Sequence, residues 1–470
     1  MRARGQGLLA LVVAGVVALG ALSLERLGSR ASSAAPAGSA PSGTWLCPHG
    51  GGKSFEGTVF LANPGADEVA ARVSGLRAGG SGRSEEVVVP GGAQVAVSVD
   101  ASTRSSSTFV ETFGGWLAAG WIVRGAEGEV GIGAEPCAPD SGRSWVSGGA
   151  TTGQGDDAYL VVMNPYDADA VFDVALFAAD RAPVRDSKLT DVSLRPRRSA
   201  AIKLNEFAQG EDGLGVSIEV ASGRVAASTL VVSDGRGIGS VLAAPAPAAR
   251  HLLLTSSGAG RSTLAVTVPT VAAAGATPAP AGALGATFSA TLRSEAAPQP
   301  AGGLADQAQE PESSQAYPVP TTGPSAVDLV VREGAPVAVA LRTFGVGNDG
   351  GATGGSTGAA RQWLVTPTIV GDPARPGLLV LNPGQEDATV AIESIPESGD
   401  APQTTSIRVA PGSVANVPRT FLDQVGRASL LVTSDAGAIV ALGASTSLGN
   451  EGLSVYGLAV GVPIPASGTP

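Results

Sequence analysis

Cysteine and histidine are nearly absent, with two of each in 470 residues. That rules out a Cys/His zinc framework and leaves little for nucleophilic catalysis. Lysine occurs three times (Lys53, Lys188, Lys203), and the other 27 basic residues are arginine. Charged residues are 15% of the chain, against roughly 25% in an ordinary domain. Acidic residues outnumber basic ones 41 to 30, for a net charge of −11. Such a chain lacks the electrostatic footprint of a nucleic-acid binder. After Leu24 there is no sustained helical periodicity and no second apolar run long enough to span a bilayer. Glycine (66) and proline (33) are plentiful, yet short of the ~25–30% of low-complexity chains. With 43% hydrophobic residues, the length suits three or four domains of about 100–150 residues.

Arg2 and Arg4 precede an apolar run from Leu8 to Leu24. A cationic stretch followed by an apolar one directs export. The run is 17 residues, at the short end of the ~17–25 that span a membrane and beyond the ~7–15 of a cleaved leader. Small residues follow, so both an uncleaved anchor and a cleaved signal are open. Either places the chain from about residue 45 onward outside the cytoplasm. Cys47 and Cys137 then read as a disulfide, the simplest state of an even pair in an oxidising compartment.

Internal repeats set the architecture. The segments 58–76, 159–177 and 378–395 each read as apolar strand, Asn-Pro, short acidic turn and alternating strand. The Asn-Pro pairs are Asn63-Pro64, Asn164-Pro165 and Asn382-Pro383; Val268-Pro269 takes that place in a fourth copy. Asparagine ends a strand by bonding nearby backbone, and proline forbids further ladder pairing, so the motif reads as a fold constraint. Upstream stand Trp45-Leu46, Trp145-Val146, His251-Leu252 and Trp363-Leu364. Downstream come turn-bearing strand pairs at 87–100, 192–207, 329–344 and 407–421, then a last hairpin at 116–134, 216–233 and 428–445. The third copy lacks that hairpin in this reading, and the glycine tract 345–360 stands in its place. Six or seven short strands per ~100 residues, with frequent turn signals, is the pattern of an antiparallel immunoglobulin-like β-sandwich.

The expected fold is therefore all-β, with four tandem sandwich units after an N-terminal helix. The expected divisions are 1–30 (cytoplasmic stub and leader or anchor), 31–44 (linker), 45–140, 141–250, 251–362 and 363–470. The third unit is degenerate, with a disordered insertion over about 271–325, where proline, glycine and polar residues dominate.

Several motifs reduce to structural roles. The glycines 345, 347 and 350 spell G-x-G-x-x-G, but no helix follows to hold a pyrophosphate, so no nucleotide is expected. Gly354, Ser356 and Gly358 spell G-x-S-x-G without the flanking strand, helix and base of a nucleophile elbow. Cys47-Pro48-His49 followed by three glycines reads as a disulfide plus a turn. Asp156, Asp157, Asp167 and Asp169 lack calcium-loop spacing and read as solvated. No metal and no cofactor are expected. Trp45, Trp145 and Trp363 hold equivalent repeat positions and read as core. Trp116 and Trp121 occur in the first unit alone; five apart, they would face opposite ways on an uninterrupted strand. They are the candidate ligand contacts, an exposed aromatic being suited to a sugar or a protein.

The opening WLCPHGGG (45–52), the VFLANP strand, the VPGG turn and the late hairpin resemble an actinobacterial family of exported proteins catalogued as a domain of unknown function. The preference for arginine over lysine fits a high-GC source. The resemblance covers most of residues 45–470, and the third unit departs from it. It implies an envelope location and supplies no catalytic residues. The functional expectation is a non-enzymatic cell-envelope protein, anchored or secreted, acting as scaffold or protein-interaction module. The alternative is a carbohydrate- or cell-wall-binding protein. Partners on either reading are the membrane through Leu8–Leu24 if uncleaved, an envelope protein or a wall glycan.

Overall fold

The computed structural model describes residues 42–464, apart from 126–130, 235–236, 258–259, 271–283, 297, 347–349, 370–373, 398 and 450–451. The leader expected at 8–24 lies outside them. Among the described residues, no helix is long and apolar enough to cross a membrane.

The first unit is built from β1 (Gly43–Cys47), β2 (Glu56–Asn63), β3 (Val69–Arg77), β4 (Gly80–Val89), β5 (Ala93–Val99), β6 (Ser107–Phe113), β7 (Ala118–Gly125) and β8 (Gly131–Pro136). They make two four-stranded sheets, β1-β6-β3-β4 and β5-β2-β7-β8. The second repeats this with β9 (Ser144–Thr151), β10 (Asp156–Asn164), β11 (Ala170–Phe177), β12 (Val192–Leu194), β13 (Arg198–Lys203), β14 (Asp212–Ser222), β15 (Ala226–Ser233) and β16 (Gly237–Leu242). The third has β17 (Arg250–Ser257), β18 (Ser262–Val268), β19 (Ala286–Arg293), β20 (Gln299–Pro300), β21 (Gln307–Gln309), β22 (Ser313–Val319), β23 (Gly323–Gly334), β24 (Ala338–Phe344) and β25 (Gly350–Thr353). The fourth has β26 (Gln362–Val365), β27 (Arg375–Leu381), β28 (Ala388–Ile395), β29 (Thr404–Val409), β30 (Val414–Asn416), helix α1 (Arg419–Val425), β31 (Ser429–Ser434), β32 (Val440–Gly449), β33 (Gly452–Val460) and β34 (Val462–Pro463). Leaving out the short β20 and β34, each unit has eight strands in one topology. Strands one, six, three and four form one sheet; strands five, two, seven and eight form the other. The chain is all-β, in antiparallel sandwiches.

The Asn-Pro constraint is explicit in the hydrogen bonds. Asn382 Nδ2 donates to Glu386 O (2.7 Å) and Val409 O (3.0 Å), and its Oδ1 accepts from Gly384 N (3.0 Å). Asn63 binds Asp67 O, Val89 O and Gly65 N in the same way. Asn164 does so with Ala168 O, Leu194 O and Tyr166 N. One buried amide thus closes its own turn and ties it to the end of the fourth strand.

Two expectations about the third unit are corrected. Of the supposed insertion 271–325, residues 271–283 lie outside the described structure, and the remainder builds β19 to β22 and the start of β23. The prolines that suggested a linker sit where a ladder tolerates them. Pro300 is on the two-residue strand β20, and Pro318 is on β22, the edge of its sheet. The hairpin is also present. Segment 329–344 contains the end of β23 and β24, the sixth and seventh strands, while the fourth and fifth fall at β21 and β22. The glycine tract holds the eighth strand, β25, paired with β24.

The units close into a ring around their eighth strands. β8 contacts β16, β16 contacts β25, β25 contacts β33, and β33 contacts β8. β16 and β25 pair in parallel at Gly237 and Gly350, merging two sheets into one of eight strands. A side chain at Gly237 (φ +123°) would stand 2.8 Å from the Gly350 carbonyl, so the axis requires glycine there. Each core runs into the next: Ile238 and Leu230 of the second unit and Leu364 and Val462 of the fourth pack in the core of the first. Gln94, 1% exposed, seals the first unit to the last. Its Nε2 donates to Arg427 O (2.6 Å), and its Oε1 accepts from Ser429 N (2.7 Å).

Candidate functional site

Where the chain leaves each eighth strand, it turns back to bridge the first strand of the same unit. The bridges are Leu46 to Ala138, Val146 to Ala244, Leu252 to Ser356 and, within a short ladder, Leu364 to Val462. These returns surround a cavity of about 380 Å³. One residue past each bridge stand Pro139, Pro245, Thr357 and Pro463, all exposed and all lining it. They frame a mouth with one residue from each unit.

The cavity wall is mostly apolar. The first-strand aromatics follow one rule in three units: the ring N–H donates to the carbonyl just ahead of the seventh strand. Trp145 Nε1 donates to Val225 O (2.8 Å), and Trp363 Nε1 to Ile439 O (2.7 Å). His251 Nε2 bonds Val337 O (2.9 Å). Burial lowers the His251 pKa, so the imidazole is neutral at pH 7 and fills a tryptophan position. The first unit breaks the rule. Trp45, 4% exposed, makes no hydrogen bond through its indole among the described residues, and Trp116 meets it edge-on at 6.2 Å. Both line the cavity.

Glu135 is the second break. Registers pair Trp121 with Glu135, Thr229 with Val241, Leu341 with Thr353 and Gly443 with Ala459. The carboxyl therefore occupies a position held elsewhere by Val241, Thr353 and Ala459. Glu135 is 2% exposed and lines the cavity. Burial pushes its pKa well above the usual carboxylate range, partly offset by the Leu242 N–H that donates to Oε1 at 3.4 Å. Burial thus favours the protonated form, which has one long hydrogen bond.

The sequence candidates are placed as follows. Cys47 and Cys137 form a disulfide, Cα to Cα 4.6 Å. Trp121 is 1% exposed in the first core and is not a surface contact; this corrects the expectation for that residue. Trp116 is half-buried and precedes β7, so alternation along a strand does not govern it. The four aspartates do not converge: Asp157 pairs with Lys203, Asp167 with Arg197, and Asp156 is buried against Thr151. No group of three or more possible metal ligands stands together among the described residues. Ser356 Oγ donates to Gly358 O within its turn. His49 is fully buried, its Nδ1 on Gly50 O (2.7 Å) and its Nε2 on Thr108 Oγ1 (3.0 Å). Sequence reasoning missed Glu135. Its signal was the pair GIGAEPCAP (131–139) and GIGSVLAAP (237–245), where one acid interrupts an apolar repeat position.

Residues 101–299 match a family of unknown function, DUF5719. That span runs from the first unit into the third. No curated protein matches. Among solved structures, the crystal structure of Thermotoga maritima 1070 is 16% identical and covers 22% of this chain and 95% of its own, with a TM-score of 0.19. Streptomyces avermitilis alpha-L-rhamnosidase complexed with L-rhamnose is 11% identical and covers 86% of this chain and 55% of its own, with a TM-score of 0.14.

Proposed function

We propose that this chain is a non-enzymatic cell-envelope protein, exported through its N-terminal apolar segment, whose four sandwiches serve together as a scaffold or protein-interaction body. The observation that carries the reading is the Cys47–Cys137 disulfide, a bond that persists in oxidising compartments and is rare in the cytosol. Two further features support it. Both histidines are buried with ring nitrogens held by backbone or threonine, so neither stands ready as a general base. The shared cores and the Gln94 seal pack the units against one another, which suits a platform. The carbohydrate-binding alternative needed an exposed aromatic, and the burial of Trp121 removes half of its basis.

The test is made on intact cells of the source organism. Free thiols are trapped with a maleimide before lysis, and the cells are then fractionated. The reading expects the chain in the envelope or medium with both cysteines unreactive, and a discrete envelope protein cross-linked to it. A cytoplasmic chain with two reactive thiols would overturn it. Retention on protein-stripped cell wall, lost in Trp116→Ala, would favour the glycan alternative.

A further inference from the structure

We propose that the cavity on the ring axis is a binding site for a small, uncharged, largely apolar molecule that carries a hydrogen-bond acceptor such as a ketone or ester carbonyl. The volume, about 380 Å³, lies at the compact end of the ~300–1,000 Å³ of small-molecule sites. Apolar side chains with a few convergent polar groups are the usual lining of such sites. The polar groups here are donors without acceptors. The indole N–H groups of Trp45 and Trp116 have no partner among the described residues. Burial favours the protonated form of Glu135, and its one hydrogen bond among the described residues is the long contact from Leu242 to Oε1. In three units the equivalent ring N–H is satisfied by backbone; only the first unit leaves it open. A carbonyl oxygen entering here gives these indoles the acceptor that backbone supplies to the equivalent ring in the other three units.

Charge sets the ligand class. The described residues of the lining include no lysine or arginine, so an anion finds no counter-charge among them. Glu135 is the one acidic residue among the described lining, and burial disfavours its ionised form, so a cation would have to offset that cost. A neutral acceptor meets neither penalty.

The experiment uses residues 42–470, which hold every strand of the ring. Octyl methyl ketone, nonanoate and octyltrimethylammonium share an octyl chain and differ in the charge of the head. Each is titrated at pH 6 by calorimetry and by tryptophan fluorescence. The ketone is expected to saturate at one per chain and to bind at least tenfold tighter than either ion. Trp116→Phe removes one donor and is expected to weaken the ketone about five-fold, with Tm unchanged. Ala244→Phe fills the cavity at the partly exposed Ala244 and is expected to abolish binding while Tm holds. Ketone binding that does not saturate, or that survives Ala244→Phe, would overturn the site. Tighter binding of octyltrimethylammonium or of nonanoate would overturn the assignment to a neutral ligand.

Discussion

His49 makes the first unit acid-sensitive in a window that can be worked out beforehand. The imidazole is fully buried between the disulfide strand and Thr108, 5.9 Å from the Trp121 ring. A backbone carbonyl can only accept, so Nδ1 carries the proton toward Gly50 O, and Nε2 accepts from the Thr108 hydroxyl. A second proton would break the Thr108 bond and place a cation in the core. Burial therefore pulls the pKa from 6.5 to about 4, against weaker opposing pulls from the Gly50 carbonyl and Asp100. The unfolded imidazole binds its proton near pH 6.5 and the folded one near 4. The stability this residue contributes is whole above pH 6.5 and is lost as pH falls toward 4. At 1.36 kcal/mol per unit, the loss relative to pH 7 is about 2 kcal/mol at pH 5 and about 3 kcal/mol at pH 4.

His49→Gln isolates this effect, since glutamine keeps a donor and an acceptor but does not titrate. Urea unfolding of the oxidised protein and of the variant, followed by tryptophan fluorescence, gives the difference at each pH. The wild-type advantage should shrink by about 2 kcal/mol between pH 7 and pH 5. Carboxylates that titrate in the same range cancel in the difference. Proton NMR checks the cause directly, because the chain has two histidines and burial lowers the pKa of both. Neither ring should titrate near 6.5. A difference constant to within about 0.5 kcal/mol, or a ring resonance of His49 moving at the unperturbed value, would refute the reasoning.

Three other outcomes follow from the same physics. Asn382→Ala removes three hydrogen bonds made by one buried amide; it should destabilise the fourth unit by about 2–4 kcal/mol in chemical denaturation. Cys47→Ser opens a loop with a sequence separation of 90 and should lower stability by about 4–5 kcal/mol under oxidising conditions, while matching wild type in reductant. Glu135→Gln should stabilise the protein at pH 8 and leave it unchanged at pH 4. The folded pKa of this carboxyl is raised, so its stability contribution is whole below the unfolded value of 4.5 and is lost as pH rises. Equal Tm values for the two proteins at pH 8 would count against a neutral Glu135.

The repeat was legible because its marks are local. An asparagine that closes its own turn must be followed by the same short segment each time, so Asn63, Asn164 and Asn382 align by eye, and the turns after them follow. The disulfide was legible for a simpler reason, the scarcity of cysteine. Strand matching in the third unit failed where composition was read as disorder. Pro300 and Pro318 are edge prolines, and edges are decided by neighbours in space, which the local sequence does not specify. The ring was illegible altogether. Its contacts join residues hundreds of positions apart, as Gln94 to Ser429, and they use glycine, alanine and short aliphatics that look the same in any strand. The cavity inherits that illegibility, although its one acid did leave a trace in the comparison of 131–139 with 237–245.

What four units of one topology share belongs to folding, and what one unit alone has needs another reason. The asparagine staple recurs in three units, the ring N–H bond to backbone in three, and the bridged return in all four. Against that background the first unit carries the disulfide, the buried His49, the unsatisfied indole of Trp45, the extra Trp116 and the acid in place of Val241. The disulfide and His49 have a structural use: they brace the unit that begins the ring and whose Gln94 closes it. Of the remaining three, the two tryptophans also pack in the first core, but packing alone does not call for their indole N–H groups or for the acid. Each leaves a polar group poorly bonded in a place where the sister units show an apolar or satisfied solution to the same geometry. All three departures line one cavity. Departures in a single unit that converge on one space are the pattern expected of a site kept for what enters it.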